Sequence, residues 1–295
     1  MGTTRGRGVL AVMAAGLSLT VAGCTGVNGD DGGGTTPTRA APKPAPPVWN
    51  VRPTSVAAVG DSITRGFDAC GVLRDCPEVS WATGDSKEVD SLAVRLLGPV
   101  KATTHSWNYA KTGALMADLP GQMAQAGTRR PGLVTVMAGA NDACRDSVDQ
   151  MTPVGKFRTS FEQSLAALRS VSPKSQVYVS SVPDLKRLWS EGKSSPLGKV
   201  VWKLGICPSM LADADAVDLT ATTRRDSVQE RVREYNSVLK EVCAKDSRCR
   251  FDGGAVYDYE FGTKQLSRWD WFHPSKEGQA RLAEIAYAKV TAPGA

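Results

Sequence analysis

The amino-acid sequence predicts an α/β protein, a three-layer α/β/α sandwich around a central parallel sheet, and three observations carry that prediction. Short apolar runs of strand length alternate with longer stretches of helical spacing. The clearest run, Leu133 to Ala138, is apolar at almost every residue, as a strand covered on both faces must be. The loops that hold the reactive residue types follow such runs, and open parallel sheets bind ligands beyond the carboxyl ends of their strands. With 295 residues, 41% hydrophobic and 22% charged, the chain can close one core of about 200–250 residues.

The first strand is Ser55 to Val59, which runs into Gly60-Asp61-Ser62. Glu88 to Leu97 is predicted helical because Val89, Leu92, Ala93, Leu96 and Leu97 share one face. Lys101 to Tyr109 is the next strand, and Leu133 to Ala138 the third, ending at Gly139-Ala140-Asn141-Asp142. Phe157 to Val171 is an amphipathic helix, followed by a strand from Gln176 to Val182. From Asp184 to about Leu219 the alternation breaks, and this stretch, with Trp189, Gly192, Pro196, Trp202, Cys207 and Pro208, reads as an insertion packed over the sheet's end. Thr222 to Ala244 resumes a helix, Arg250 begins a short strand or turn, and Ser275 to Val290 is the closing helix.

Ahead of this domain lies a front end of different composition. Arg5 and Arg7, an apolar stretch from Val9 to about Leu19, and Val21-Ala22-Gly23-Cys24 form an export signal whose apolar part is short for a bilayer span. The last four residues resemble the lipobox of bacterial lipoproteins, which implies lipidation of Cys24 and membrane anchoring through it. Ordinary cleavage near Ala22 or Gly23 would instead release a secreted protein. Residues 1–23 are therefore expected to be a lipoprotein-type signal peptide and 24–50 a Gly/Pro/Thr-rich tether with almost nothing to bury. Residues 51–295 are the folded domain. Without Arg5 and Arg7 the balance is 34 Lys+Arg against 30 Asp+Glu, or +4, too small and too dispersed to argue for a nucleic-acid partner.

Six cysteines remain beyond Cys24, an even number that fits disulfides in an exported chain, with fifteen possible pairings. Cys70 with Cys76, and Cys243 with Cys249, would each close a short loop. Cys144 with Cys207 would then staple the insertion beside the Asn141 loop. A metal site is not expected, because no Cys-x-x-Cys spacing occurs and the two histidines lie far from the cysteines in sequence.

A serine hydroxyl attacks an ester only if a base takes its proton and donors hold the resulting oxyanion. The chain offers two histidines as bases, His105 and His273. His273 follows Asp270 by three residues, so the carboxylate can turn back onto Nδ1 and leave Nε2 free for a serine. His105 reads as structural. Ser62 sits where a buried strand enters a glycine turn; Gly84-Asp85-Ser86 repeats the tripeptide without a preceding apolar strand. Asn108 to Gly113 forms a tight turn that could present the Gly113 N–H, and Asn141 could add a side-chain amide. Asp61 and Asp142 read as structural. Trp81, Trp189, Trp202, Trp269 and Trp271 read as packing residues rather than an acyl pocket.

Taken together, Gly-Asp-Ser62, Gly113, Asn141 in Gly-x-Asn-Asp, and His273 in Asp-x-x-His-Pro resemble, in order and strand context, the four blocks of the SGNH (GDSL-like) hydrolase family. The resemblance spans Ser55 to the C-terminus and implies a flavodoxin-like sandwich, Ser62, Asp270 and His273 as catalytic residues, and Ser62, Gly113 and Asn141 as oxyanion donors. Ser80-Trp-Ala-Thr-Gly-Asp85, Asp118-Leu-Pro-Gly-Gln122, Asn141-Asp-Ala-Cys144 and Trp271-Phe-His-Pro274 are similar to the phospholipase B-like branch. The implied activity is hydrolysis of a carboxylic ester, lipid-type by the branch resemblance, by a monomer without metal or organic cofactor. A carbohydrate O-acetyl esterase would use the same machinery. A non-catalytic surface lipoprotein that binds glycan or lipid is the reading from another class, and the intact residue set argues against it.

Overall fold

Val56–Gly60 (β1), Ser106–Asn108 (β2), Leu133–Met137 (β3), Gln176–Val179 (β4) and Cys249–Phe251 (β5) form one sheet in the order β2-β1-β3-β4-β5, and each neighbouring pair is parallel. The computed structural model describes residues 48–293. The expected signal peptide, Cys24 and nearly all of the expected tether lie outside the described residues. Every residue of β1, β3 and β4 is buried, so both faces of the sheet need cover.

Helices supply it: α1 (Leu92–Leu97), α2 (Pro99–His105), α3 (Leu119–Thr128), α4 (Ala140–Ala143), α5 (Val154–Val171), α6 (Leu185–Gly192), α7 (Pro196–Trp202), α8 (Pro208–Leu211), α9 (Leu219–Cys243) and α10 (Lys276–Thr291). α3, α5 and α9 pack side by side as one layer, and α1 packs on α10 in the other. The predicted α/β/α sandwich is thus the observed one. Its strand order reverses direction between β1 and β3, and in sheets of this order the crevice at such a reversal receives ligands. Trp49 and Asn50 already belong to the folded body: the Trp49 indole N–H donates to Val290 O at 2.8 Å, and the Gln176 amide holds Asn50.

Three local expectations change. The helix expected from Glu88 begins only at Leu92, because Asp90 is left-handed (φ 48°) and Ser91 caps the first turn by accepting from Val94 N. The strand expected at Lys101–Tyr109 is helical up to His105; Gly98 (φ 79°) and Pro99 at the first helical position restart a helix before β2. α3 had no counterpart in the sequence reading, although Leu119, Met123 and Ala126 share its buried face, because Gly121 and Gly127 dilute the pattern.

Where β1 ends, Gly60 adopts φ +145°, and a Cβ there would lie 2.1 Å from Met137 O on β3. That contact cannot be relieved by a rotamer, since the Cβ is fixed by the Gly60 backbone and its neighbour is a backbone carbonyl oxygen. Gly60→Ala is expected to destabilise the protein by about 3 kcal/mol or more, read as a lower urea midpoint. A variant as stable as the wild type would contradict this account of the turn.

Candidate active site

β1 delivers Ser62 into a turn that three distant side chains hold. The Gln122 amide from α3 pairs with Gly60 in both directions, accepting from its N–H at 2.8 Å and donating to its carbonyl at 3.0 Å. From α10, Gln279 donates to Ile63 O at 2.9 Å and accepts from Trp81 N at 2.9 Å. Asn108, at the end of β2, donates to Thr64 O at 2.9 Å. Asp61 accepts from Ile63 N with one carboxylate oxygen, and burial pushes its carboxyl up to about 7. Ser62 is left with only its rim exposed, and its hydroxyl meets His273 Nε2 at 2.9 Å.

The loop before α10 brings the base and its carboxylate together. Asp270 Oδ2 faces His273 Nδ1 at 2.5 Å, while its Oδ1 accepts from the backbone N–H groups of Phe272 and His273, each at 3.0 Å. Trp271, between them, takes φ +55°, which bends the chain so that both side chains point the same way. The Trp202 indole N–H clamps the Asp270 carbonyl at 2.7 Å. Burial pushes Asp270 up, but the His273 charge and the three hydrogen bonds to its carboxylate outweigh that and hold it below the usual range. Burial pushes His273 down, and Asp270, Asp68 and Asp61 outweigh it, leaving the imidazole more basic than usual.

Gly113 and Asn141 line the same cavity as Ser62 and His273. Gly113 takes φ +81°, and neither its N–H nor that of Ser62 finds an acceptor among the described residues. Asn141 stands on α4, entered through Gly139 at φ +124°; its amide donates one N–H to Ala114 O at 3.0 Å and has a second to offer. Asp142 ties this loop to Met116 N at 2.9 Å, with burial pushing its carboxyl up to about 6. The cavity holds about 220 Å³, and Ile63, Leu185, Leu188, Ile206 and Phe272 give it apolar walls. The Cys144–Cys207 disulfide also lines it and fastens the insertion beside Asn141. Disulfides join Cys70 to Cys76 and Cys243 to Cys249 as well; three such bonds belong to an oxidising, extracytoplasmic setting.

The remaining candidates fall elsewhere. His105 is exposed at the end of α2, and Ser86 lies in a turn whose hydroxyl accepts from Glu88 N. None of Trp81, Trp189, Trp202, Trp269 and Trp271 lines the cavity. Sequence reasoning missed Asp68, a buried carboxyl within 4.8 Å of the reactive atoms of Asp270 and His273 that burial and the Asp270 charge push up to about 6. It also missed the clamps Gln122, Gln279 and Trp202; the Asp118–Gln122 block entered only through the branch resemblance, with no role for Gln122.

No curated protein matches the chain by sequence. Among solved structures, an extracellular lipase from Streptomyces rimosus is 15% identical, covering 81% of this chain and 100% of its own, with a TM-score of 0.47. A phospholipase A1 from Streptomyces albidoflavus is 17% identical over 81% and 100% (TM-score 0.45), and a Clostridium thermocellum family 3 carbohydrate esterase 14% identical over 80% and 94% (TM-score 0.46). Likenesses this distant decide nothing about substrate. A sequence model of the GDSL-like lipase/acylhydrolase family, however, matches residues 56–286, from the first strand into the last helix. The chain therefore belongs to the GDSL-like lipase/acylhydrolase family and is a carboxylic ester hydrolase.

Proposed function

We propose that the protein is an exported serine esterase that cleaves lipid-type carboxylic esters through an acyl-enzyme formed on Ser62. The hydrogen-bonded line from Ser62 Oγ through His273 to Asp270, at 2.9 and 2.5 Å, carries this reading. His273 Nε2 takes the hydroxyl proton as Oγ attacks the ester carbonyl, then gives it to the departing alcohol. A water then attacks the acyl-enzyme, losing its proton to the same nitrogen, and the acid leaves. Asp270 holds the Nδ1–H tautomer throughout and stabilises the imidazolium. The uncommitted N–H groups of Ser62 and Gly113 and the second amide N–H of Asn141 receive the oxyanion. No step calls for a metal or organic cofactor.

The apolar walls favour an aliphatic acyl group over the acetyl of a decorated sugar. At roughly 30 Å³ per water- or methylene-sized group, 220 Å³ receives about seven groups. An exported lipoprotein with Cys24 acylated, tethered through the residues from Cys24 up to the folded body and otherwise monomeric, would carry this domain to the outer face of the cytoplasmic membrane; without acylation the chain would be secreted. On p-nitrophenyl esters, kcat/KM is expected to rise by up to about fourfold per added CH₂ and to peak at about six to eight acyl carbons. Activity confined to acetate would replace the lipid reading by an O-acetyl esterase, and no turnover at all would return the chain to a non-catalytic binding protein.

A further inference from the structure

Five of the ten large aliphatic side chains exposed among the described residues sit on two segments that flank the Ser62–His273 pair. The first is α7 and the turn after it. Gly198 and Trp202 are its buried face, against Trp271 and the Asp270 carbonyl. At about 100° per residue, Leu197 and Val200 fall on the opposite side, 58% and 60% exposed, and Leu204 in the turn is 76% exposed. The chain then passes directly into Gly205 and Ile206, which line the ester cavity. The second segment is the loop closed by Cys70–Cys76, whose tip exposes Val72 and Leu73. Its base is fixed to the site: Asp68 accepts from Leu73 N, and the Phe67 ring lies 5.0 Å from the His273 ring.

Charge tells what covers this surface. Between Gly192 and Ala212 the chain has Lys193, Lys199 and Lys203 and no Asp or Glu. Lys199 is paired with Asp215, Lys193 lies over the Trp189 ring, and Lys203 has no ion pair among the described residues. Protein-binding hot spots are enriched in Trp, Tyr and Arg. Aliphatic side chains interleaved with lysines are instead the pattern of a face that lies in a lipid interface, with the lysine stems free to extend toward headgroup phosphates. We propose that Leu197, Val200 and Leu204 of the α7 segment, with the Val72–Leu73 tip, seat the enzyme on an anionic phospholipid surface beside its cavity. This extends the lipid-ester reading and rests on it for the substrate, but not for the binding.

The test uses the exported chain carrying Cys24→Ala, which removes any acyl anchor, and sedimentation with vesicles of ether-linked lipid that no esterase can cleave. Binding is expected to vesicles containing phosphatidylglycerol, about tenfold tighter than to pure phosphatidylcholine, and weaker in high salt. L197D/V200D/L204D is expected to lower that binding at least tenfold while leaving kcat/KM on soluble p-nitrophenyl butyrate unchanged. Lys203→Glu, a single change at an exposed site, should lower binding several-fold even if the triple variant folds poorly. Absence of vesicle binding, or binding that neither variant weakens, overturns the proposal. So does a wild-type dimer that the triple variant converts to monomer, which would make a second copy of the chain the occupant. Vesicle binding without turnover of any soluble ester would leave the docking face in place and overturn the esterase reading instead.

Discussion

Ser62→Ala is expected to lower kcat/KM on a soluble p-nitrophenyl ester by about 10⁴-fold or more, and to abolish labelling by a fluorophosphonate probe. The size of the loss follows from what the site retains. Without Oγ, the donors at Ser62, Gly113 and Asn141 can still polarise a bound carbonyl, but attack must come from water, which nothing in the turn positions. Ser86 cannot substitute, since the only other histidine beyond His273 is the exposed His105. Stability should change by less than about 1 kcal/mol. The turn's own supports, from Gln122 to Gly60 and from Phe67 N to Ser62 O at 3.0 Å, involve backbone atoms or other residues. A variant that keeps its thermal transition and also keeps more than a tenth of the activity would remove Ser62 from the chemistry.

The parts of this molecule legible in its sequence are those that declare themselves locally. β1, β3 and β4 are nearly unbroken apolar runs because parallel strands are covered twice, and the Asp270–His273 spacing is short enough to imply a contact that the structure contains. The Lys101–His105 segment misled because its β-branched threonines look like a strand, whereas Gly98 and Pro99 set the conformation from outside the window. Asp68 and Trp202 were illegible for another reason. They reach Asp270 across 202 and 68 positions of chain (270 − 68 and 270 − 202), and Asp68 does so from a left-handed residue, φ 58°. No periodicity marks such positions. Only the fold, by placing β1, the insertion and the last loop around one crevice, gives them a role.

The two ways of removing the Asp270 carboxylate should differ, and in an order opposite to how conservative they look. In Asp270→Asn, the position of Oδ1 must stay an acceptor, because the Phe272 and His273 backbone N–H groups both point at it. The amide nitrogen is then forced toward His273 Nδ1 and donates to it. The imidazole must carry its proton on Nε2, and that tautomer cannot take a proton from Ser62. A loss of about 10⁴-fold in kcat/KM is expected. Asp270→Ala leaves the tautomer free, and the Asp68 carboxylate, within 4.8 Å of a His273 ring nitrogen, still favours the imidazolium by its charge, so its loss should be roughly tenfold smaller despite the two orphaned backbone donors. The pH profile gives an independent reading. His273 must be neutral to act as base, and its carboxylate neighbours raise it above its ordinary value of 6.5, so the wild-type acid limb should lie above pH 6.5. Without Asp270, burial acts against only Asp68 and Asp61, and the limb should move to lower pH. Equal losses in the two variants, or an acid limb that stays in place in Asp270→Ala, would mean that Asp270 neither selects the tautomer nor sets the basicity of His273.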